Sequence, residues 1–144
     1  MTRLSSELLH VSSVAIDGRA VLIEGVSGSG KSDLALRLID RGATLISDDY
    51  TLLLSEAGGL TATAAPNIAG RIEVRGIGIV DLPHVERAPV ALLVSLGEPP
   101  ERLPGAGQSR RIAGVAVPNI VLNGSEASAP IKVELALNGS IRDA

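Results

Sequence analysis

The chain has 144 residues, a formal net charge of −3 and a sequence pI near 5.3, so it carries no basic field for a nucleic acid backbone. Apolar residues make up 45% of it but aromatic residues only 1%, which also removes the stacking platforms of a single-strand binder. The lack of cysteine and the presence of two histidines exclude a disulfide framework and a histidine-rich metal site. We predict one domain over residues 1–144 with an aliphatic core suited to buried parallel strands. Because no apolar run reaches the roughly 18 residues of a membrane span, we expect a cytoplasmic protein.

The periodicity of apolar residues predicts a strand-rich chain with one internal helix. In chain order, the predicted elements are strands over residues 11–16 and 20–24, a helix over 31–40, a strand over 44–47 continued by 50–54, a weaker strand over 60–64, one short helical turn over 66–71, a buried strand over 88–96, a mobile surface loop over 97–107, and a strand-like segment over 112–122 that is broken at Pro118. Asp17-Gly18 is a hairpin signal, and Gly42 is the glycine expected after a helix. In the tail, residues 131–137 alternate like a strand whereas residues 128–130 look like a helix start, so periodicity alone favours a strand.

A glycine-rich segment between the second strand and the helix matches the phosphate-binding loop known as Walker A. Its eight residues are Gly25, Val26, Ser27, Gly28, Ser29, Gly30, Lys31 and Ser32. The glycines let successive backbone N–H groups point at phosphate oxygens, and the helix that follows adds the positive end of its dipole. Lys31 can reach the β- and γ-phosphates, and the Ser32 hydroxyl can ligate Mg²⁺. The motif therefore predicts a nucleoside triphosphate as the ligand.

Other polar residues are candidates for the chemistry of phosphoryl transfer, which needs held phosphates, a metal ion and a group that takes the proton of the nucleophile. Asp48 and Asp49 end a strand, where a carboxylate binds Mg²⁺, accepts a hydroxyl proton or simply starts a turn. Glu73 is either a metal ligand or a partner in a cross-strand ion pair. From chemistry alone, His10 is a surface residue. Arg102 is either a solvated loop charge or a phosphate clamp.

Three segments together resemble the catalytic domain of HPr kinase/phosphorylase, the bacterial enzyme that acts on the phosphocarrier protein HPr. They are His10 with the loop 25–32 that begins fifteen residues on, the segment 45–49, and the segment 72–81, which closely matches the signature of that family. The resemblance implies an α/β P-loop kinase domain of the HPr kinase and phosphoenolpyruvate carboxykinase type, with a mixed β-sheet flanked by helices. It also implies a helix over residues 129–137, against the alternation in that segment.

The resemblance further implies a role for each candidate residue. The implied catalytic residues are His10, Lys31, Asp49 and Arg102, and the implied metal ligands are Ser32 and Glu73. By this similarity Lys31 holds the transferred phosphate, and Asp49 is the base that activates the target serine hydroxyl and the acid in the reverse reaction. Arg102 stabilises developing charge.

The implied function is an ATP-dependent, Mg²⁺-requiring serine kinase that phosphorylates HPr or an HPr-like carrier in the regulation of the sugar phosphotransferase system, with dephosphorylation as a second activity. Family members assemble as hexamers, which implies a homo-oligomer, and longer members carry an N-terminal domain that we expect this short form to lack. The family's arginine-bearing loop, linked to dephosphorylation, corresponds to residues 122–128, which contain no arginine, so the kinase activity is favoured. Two alternatives stay open: a non-catalytic ATP-sensing module that binds a protein partner, and a small-molecule kinase that uses the same loop.

Overall fold

The structure, a computed structural model, describes residues 5–97, 99–101, 104 and 108–139. Its strands, in chain order, are β1 (Ser5–Leu9), β2 (Val11–Ile16), β3 (Arg19–Glu24), β4 (Thr44–Ser47), β5 (Thr51–Glu56), β6 (Gly59–Ala64), β7 (Arg71–Val74), β8 (Gly78–Asp81), β9 (Arg87–Leu96), β10 (Ser109–Ile112) and β11 (Val115–Leu122). The helices are α1 (Lys31–Asp40) and α2 (Ala129–Leu137). Neither helix in the described part of the chain has the length and apolar character needed to cross a membrane.

A mixed sheet forms the frame of the molecule. Its strands lie in the order β1-β5-β6-β9-β3-β2-β4, with β11 added along the C-terminal part of β9 and β10 beyond it, while β7 and β8 form a separate hairpin. Strand β9 runs parallel to β3 and to β11, and the other neighbouring strands are antiparallel. The predicted mixed sheet is confirmed, but the expectation of parallel strands holds only at its centre.

Strand β3 is buried on both faces of the sheet, because successive side chains of a strand point to opposite sides. Val21 and Ile23 pack in one cluster with Leu34 and Leu38 of α1, whereas Leu22 belongs to a second cluster on the opposite face. All five side chains are fully buried. The segment that follows β3 therefore starts from a strand that is buried on both faces.

Two local glycine signals are confirmed, and the tail is the helix that the family resemblance implies. Asp17 and Gly18 both take positive φ angles, 51° and 77°, in the turn between the paired strands β2 and β3. Gly42, with a φ of 112°, follows the end of α1. The helix that the family resemblance implies for the tail is also confirmed as α2, and the strand favoured by alternation is wrong there. Since the apolar residues of α2 are buried at the three-to-four spacing of a helix, packing decides between the two patterns.

The prediction that residues 50–54 continue strand β4 is wrong. Asp49 takes a left-handed φ of 67°, and the chain then enters β5, which pairs with β1 and β6. In the sheet, β1 pairs with β5 and β2 pairs with β4, so that Leu9 lies opposite Thr51 and Ser13 opposite Ser47. The junction between β1 and β2 therefore faces the junction between β4 and β5.

Two further predictions are wrong. Residues 66–71 make tight turns instead of a helical turn, closed by a hydrogen bond from the Arg71 N–H to the Ile68 carbonyl at 3.1 Å. Pro118 does not break the strand; the interruption lies at residues 113–114, in the turn between β10 and β11. Pro118 stands where β11 changes partner from β10 to β9, a position at which a missing N–H costs little pairing.

Candidate active site

The glycine loop joins the buried strand β3 to the start of helix α1. A Cβ atom at Gly25 would clash with Ser29 Oγ and lie 3.2 Å from the Cβ of Leu96, so a larger residue does not fit there. Gly30 caps the helix with a left-handed φ of 98°, which glycine adopts without strain. The first backbone N–H groups of a helix have no acceptor within the helix, and a glycine turn before them is the arrangement that binds phosphate.

A cavity of about 460 Å³ lies against this loop. Besides residues 27–32 of the loop itself, its walls include Asp49, Glu73 and Arg75. The Nζ atom of Lys31 lies 2.8 Å from the carbonyl oxygen of Gly25, and the residue is only 7% exposed. The cavity has the volume of a typical ligand site, about 300–1,000 Å³, and Lys31 forms part of its wall.

Asp48 connects the glycine loop to the junction between β4 and β5. Its Oδ1 accepts hydrogen bonds from Ser32 Oγ at 2.6 Å and from Ser12 Oγ at 3.0 Å, and its Oδ2 accepts one from the Glu73 N–H at 3.0 Å. The residue is 7% exposed. A carboxylate that accepts this many hydrogen bonds is held in one orientation. Asp48 is therefore fixed beside the hydroxyl of the loop serine, and it also accepts from a backbone N–H, as the structural alternative predicts.

Asp49 is held in place through its backbone N–H, and its carboxylate contacts His10. Its N–H donates to Ser12 Oγ at 3.0 Å, and the next N–H, that of Tyr50, donates to the carbonyl of Asp48 at 2.7 Å. Sequence reasoning does not single out Ser12. A signal for it exists, because a hydroxyl in an otherwise apolar, buried strand needs a polar partner.

His10 lies at the junction between β1 and β2 and contacts the acidic turn. Its Nε2 is 2.6 Å from Asp49 Oδ1, and since an ionised carboxylate only accepts hydrogen bonds, Nε2 carries the proton. The two side chains are 45% and 55% exposed. The ring of His10 is stacked on that of Tyr50, with centroids 4.8 Å apart and an interplanar angle of 18°. His10 is therefore exposed, as its chemistry alone predicts, but its imidazole contacts both Asp49 and Tyr50.

Glu73 stands on the β7–β8 hairpin and borders the cavity of the glycine loop. Within the part of the chain that the structure describes, no ion pair involves its carboxylate; the cross-strand pair of this hairpin joins Arg71 Nε and Asp81 Oδ1 at 3.8 Å. The ion-pair alternative for Glu73 is therefore not the one adopted. Glu73 shares the lining of the smaller cavity with Asp48 and Asp49.

A second, smaller cavity of about 310 Å³ adjoins the first. Asp49 and Glu73 line both cavities, whereas Tyr50, Ile68 and Ile79 line only the second one. Asp49 and Glu73 thus stand at the border between the cavity on the glycine loop and a second cavity whose walls are half charged and half apolar or aromatic. Such a border is where an acceptor hydroxyl could meet a phosphate held on the loop.

The oxygen donors of the site suit Mg²⁺. Ser32 offers a hydroxyl, and Asp48 and Glu73 offer carboxylates, of which Asp48 is already within hydrogen-bond distance of the Ser32 hydroxyl. Mg²⁺ prefers oxygen ligands and is usually bound by one or two carboxylates together with waters and substrate phosphates. Among the described residues no three aspartate, glutamate or histidine side chains group together as a metal site, so waters and substrate phosphates would have to complete the coordination of the predicted metal.

The segment after β11 forms a wall of the larger cavity, which sequence reasoning misses. The guanidinium group of Arg37 on α1 donates to the carbonyl oxygens of Gly124 and, at 2.9 Å, of Glu126. A Cβ atom at Gly124 would lie 3.2 Å from the carbonyl oxygen of Ser29, so this segment packs closely on the glycine loop. Gly124 is the sequence signal for this contact, because two backbones can approach closely only where one of them carries no side chain.

Arg102, the candidate for charge stabilisation, lies outside the described residues, as does part of the predicted loop over 97–107. Nearby, Arg110 of β10 donates to Glu24, the last residue of β3, and Glu24 also accepts from Ser95 at 2.5 Å. The β10–β11 hairpin is in this way tied to the base of the glycine loop.

Comparison with known proteins agrees with this geometry. The family model of the HPr serine kinase C-terminal domain matches residues 3–134. HPr kinase/phosphorylase of Clostridium botulinum is 45% identical over 74 residues, and that of Chlorobium phaeobacteroides is 43% identical over 75 residues. Each match covers 51% of this chain, but only 24% and 23% of the respective relative.

A solved structure is similar over nearly the whole chain. The structure of the Hpr(Ser) kinase/phosphatase from Coxiella burnetii matches with a TM-score of 0.80 and 30% sequence identity, covering 93% of this chain and 95% of that one. The expected P-loop kinase fold, a mixed sheet with flanking helices, is thereby confirmed.

Proposed function

The chain belongs to the family of the HPr serine kinase C-terminal domain, and from that premise we propose that it transfers the γ-phosphoryl group of ATP to a serine of an HPr-type phosphocarrier protein. The observation that carries the proposal is the His10–Asp49 pair, whose atoms are 2.6 Å apart at the border between the two cavities. A phosphate loop alone would serve any nucleotide-binding protein. A carboxylate between that loop and a second cavity, where an acceptor can enter, is what transfer to a hydroxyl requires.

The glycine loop supports the nucleotide half of the proposal. Its backbone N–H groups and the Lys31 ammonium would hold the β- and γ-phosphates. Ser32, Asp48 and Glu73 would hold Mg²⁺, which when bound neutralises charge on the phosphate oxygens. Arg75 lines the same cavity and adds positive charge.

The acidic turn supports the acceptor half. In the proposed reaction, Asp49 accepts the proton of the serine hydroxyl, and the serine oxygen forms a bond to the γ-phosphorus. The bond between that phosphorus and the β–γ bridging oxygen breaks, and ADP leaves with the electron pair. His10 donates a hydrogen bond from its Nε2–H to Asp49 Oδ1, which leaves the other carboxylate oxygen available to the incoming hydroxyl. Arg102 would stabilise charge on the transferred group.

The cellular setting follows from the same resemblance. We place the reaction in the cytoplasm, in the control of the sugar phosphotransferase system, with the protein assembled as a homo-oligomer, a hexamer by resemblance. Relatives are named for the reverse reaction as well as for the kinase. Here residues 122–128 lack arginine, and the Arg37 guanidinium that reaches this segment is engaged by the carbonyls of Gly124 and Glu126. We therefore assign phosphorylation as the main direction.

The proposal is tested by transfer of labelled γ-phosphate from ATP and Mg²⁺ to a purified HPr-type protein, with its target serine intact or changed to Ala. We expect labelling that depends on the serine, at a rate of about 1–100 s⁻¹ at saturation. ATP binding without any labelling would refute the kinase and favour the non-catalytic ATP-sensing module. Labelling of a metabolite in place of the carrier would favour the small-molecule kinase.

A further inference from the structure

The chain contains one tyrosine and neither phenylalanine nor tryptophan. That tyrosine, Tyr50, does not serve the hydrophobic core, since it is 44% exposed and lines the smaller cavity beside Asp49. Large aromatic side chains usually contribute by burying area, so an aromatic residue in this place calls for another explanation.

The ring of Tyr50 faces the ring of His10 almost in parallel, with centroids 4.8 Å apart and 18° between the planes. This geometry lies in the range of favourable aromatic pairs, whose centroids are about 4.5–7 Å apart. The His10 ring thus has two described contacts, a face on Tyr50 and an Nε2 hydrogen bond to Asp49. One contact fixes the plane of the ring, and the other fixes the direction of the nitrogen within that plane.

A second contact matters because the His10–Asp49 pair is exposed. An exposed pair gains little from its charges, and ordering two side chains in one geometry costs entropy that can cancel the gain. A ring lying flat on a neighbouring aromatic face has fewer rotamers to lose. Stacking therefore maintains a contact that would otherwise be intermittent.

The backbone of Tyr50 is itself held by hydrogen bonds. Its N–H donates to the carbonyl of Asp48 at 2.7 Å, and its own carbonyl accepts from Ser47 Oγ. Asp49 precedes it in a left-handed conformation held by Ser12. The same turn therefore sets both the carboxylate that His10 bonds and the ring on which His10 stacks.

We propose that Tyr50 is a positioning residue that holds the His10 imidazole in the orientation in which Nε2 meets Asp49. The inference rests on the proposed function, because the value of this orientation is that it prepares Asp49 to accept a proton from the acceptor hydroxyl. Tyr50 acts through His10, and the aromatic ring is what it contributes; the phenol hydroxyl is not required.

The test compares Tyr50→Leu, which removes the ring, with Tyr50→Phe, which keeps it. We expect Tyr50→Leu to lower kcat for phosphate transfer by about ten- to a hundredfold, the scale of a misplaced catalytic group, with the KM for ATP unchanged. Tyr50→Phe should restore most of the lost rate. Ile131→Ala on α2 is a matched control, since Ile131 is also 44% exposed but lines neither cavity.

A spectroscopic readout separates this inference from the kinase assay. The chain has two histidines, so the carbon-bound ring protons of His10 can be assigned in an NMR spectrum beside those of His84. Ring stacking shifts them upfield in the wild type and in Tyr50→Phe, and the shift should vanish in Tyr50→Leu. Circular dichroism of each variant confirms that it is folded.

The outcomes are distinct. Unchanged His10 resonances in Tyr50→Leu would mean that the rings do not stack in solution, and would overturn the inference whether or not the protein transfers phosphate. Lost stacking with an undiminished kcat would overturn it while leaving the kinase proposal intact. A stacked wild type that transfers no phosphate to a carrier would overturn the proposed function and, with it, the positioning role.

Discussion

The glycine loop and the acidic turn are built in opposite ways. The loop is eight consecutive residues, and its lysine contacts carbonyl groups five and six positions earlier in the chain. The acidic turn is assembled from distant segments: His10 bonds Asp49 across 39 positions, and Ser12 bonds Asp48 across 36. One region is a local motif that any suitable strand and helix can carry. The other exists only when the sheet brings two junctions face to face.

In the proposed reaction, this difference separates nucleotide binding from phosphate transfer. A damaged glycine loop should weaken nucleotide binding, whereas a damaged acidic turn should slow transfer while nucleotide binding stays normal. The bond between Ser32 and Asp48, at 2.6 Å, is where the two regions meet. Variants on either side of that bond test whether the regions are as separable as their construction suggests.

The largest effect is expected for Asp49→Asn, which keeps the shape of the side chain but removes the base. Transfer should fall by about 10²- to 10⁴-fold, the usual contribution of a general base, with ATP affinity retained. The assay is labelled phosphate transfer, with ATP binding measured by calorimetry. Asp17→Asn is the matched control, because Asp17 is also an aspartate with a left-handed φ but lies in the β2–β3 turn. Transfer at an undiminished rate in Asp49→Asn would remove Asp49 as the base.

The next effect is expected for Gly25→Ala. The added methyl group clashes with Ser29 Oγ, and overpacking of this kind costs about 1–3 kcal/mol. We expect ATP affinity to fall by roughly 5- to 150-fold if that cost falls on the bound loop. Gly59→Ala is the control, since a Cβ there meets the Glu56 carbonyl at an ordinary 3.7 Å. Wild-type affinity in Gly25→Ala would mean that the loop adapts.

A smaller effect is expected for Ser12→Ala, which tests the acidic turn without touching a carboxylate. The change removes the hydroxyl that bonds Asp48 Oδ1 and the N–H of Asp49. Ser13→Ala is an unusually close control, because Ser13 is equally buried but bonds Thr51 Oγ1 at 2.8 Å. Both variants should lose about 1 kcal/mol of unfolding free energy in urea titrations, and only Ser12→Ala should also lose kcat. Equal kcat values would show that Ser12 merely stabilises the fold.

The smallest effect is expected for Arg41→Gln, which lies outside both regions. Arg41 makes a bidentate ion pair with Glu134, at 2.7 and 3.1 Å, between α1 and α2. The hydrogen bond to Glu134 raises the pKa of Arg41, so this stabilisation is present at neutral pH and is lost only as pH rises through a strongly alkaline value. We expect the melting temperature of Arg41→Gln to be slightly lower than that of the wild type, and we expect this difference to disappear at high salt. Arg87→Gln, whose partner Glu56 is 3.8 Å away, should change nothing.

The sequence predicts the local region well and the assembled region poorly, for a physical reason. The glycine loop, the Asp17-Gly18 turn and the helix after the loop depend on neighbours in the chain, so their patterns are visible in it. The turn at Asp49 depends on a left-handed residue held by Ser12 from another strand, and no propensity scale records that. The role of His10 is visible only through family resemblance, because its partner is 39 positions away.

The stacked tyrosine also gives the protein an optical property. With no tryptophan in the chain and one tyrosine, all of its intrinsic fluorescence originates in the wall of the smaller cavity, in contact with His10 and next to Asp49 in the chain. Emission from this chain is therefore a native, label-free signal of events in that cavity. In stopped-flow experiments it would follow docking of an acceptor that lacks aromatic residues of its own, in real time and without modification of the protein.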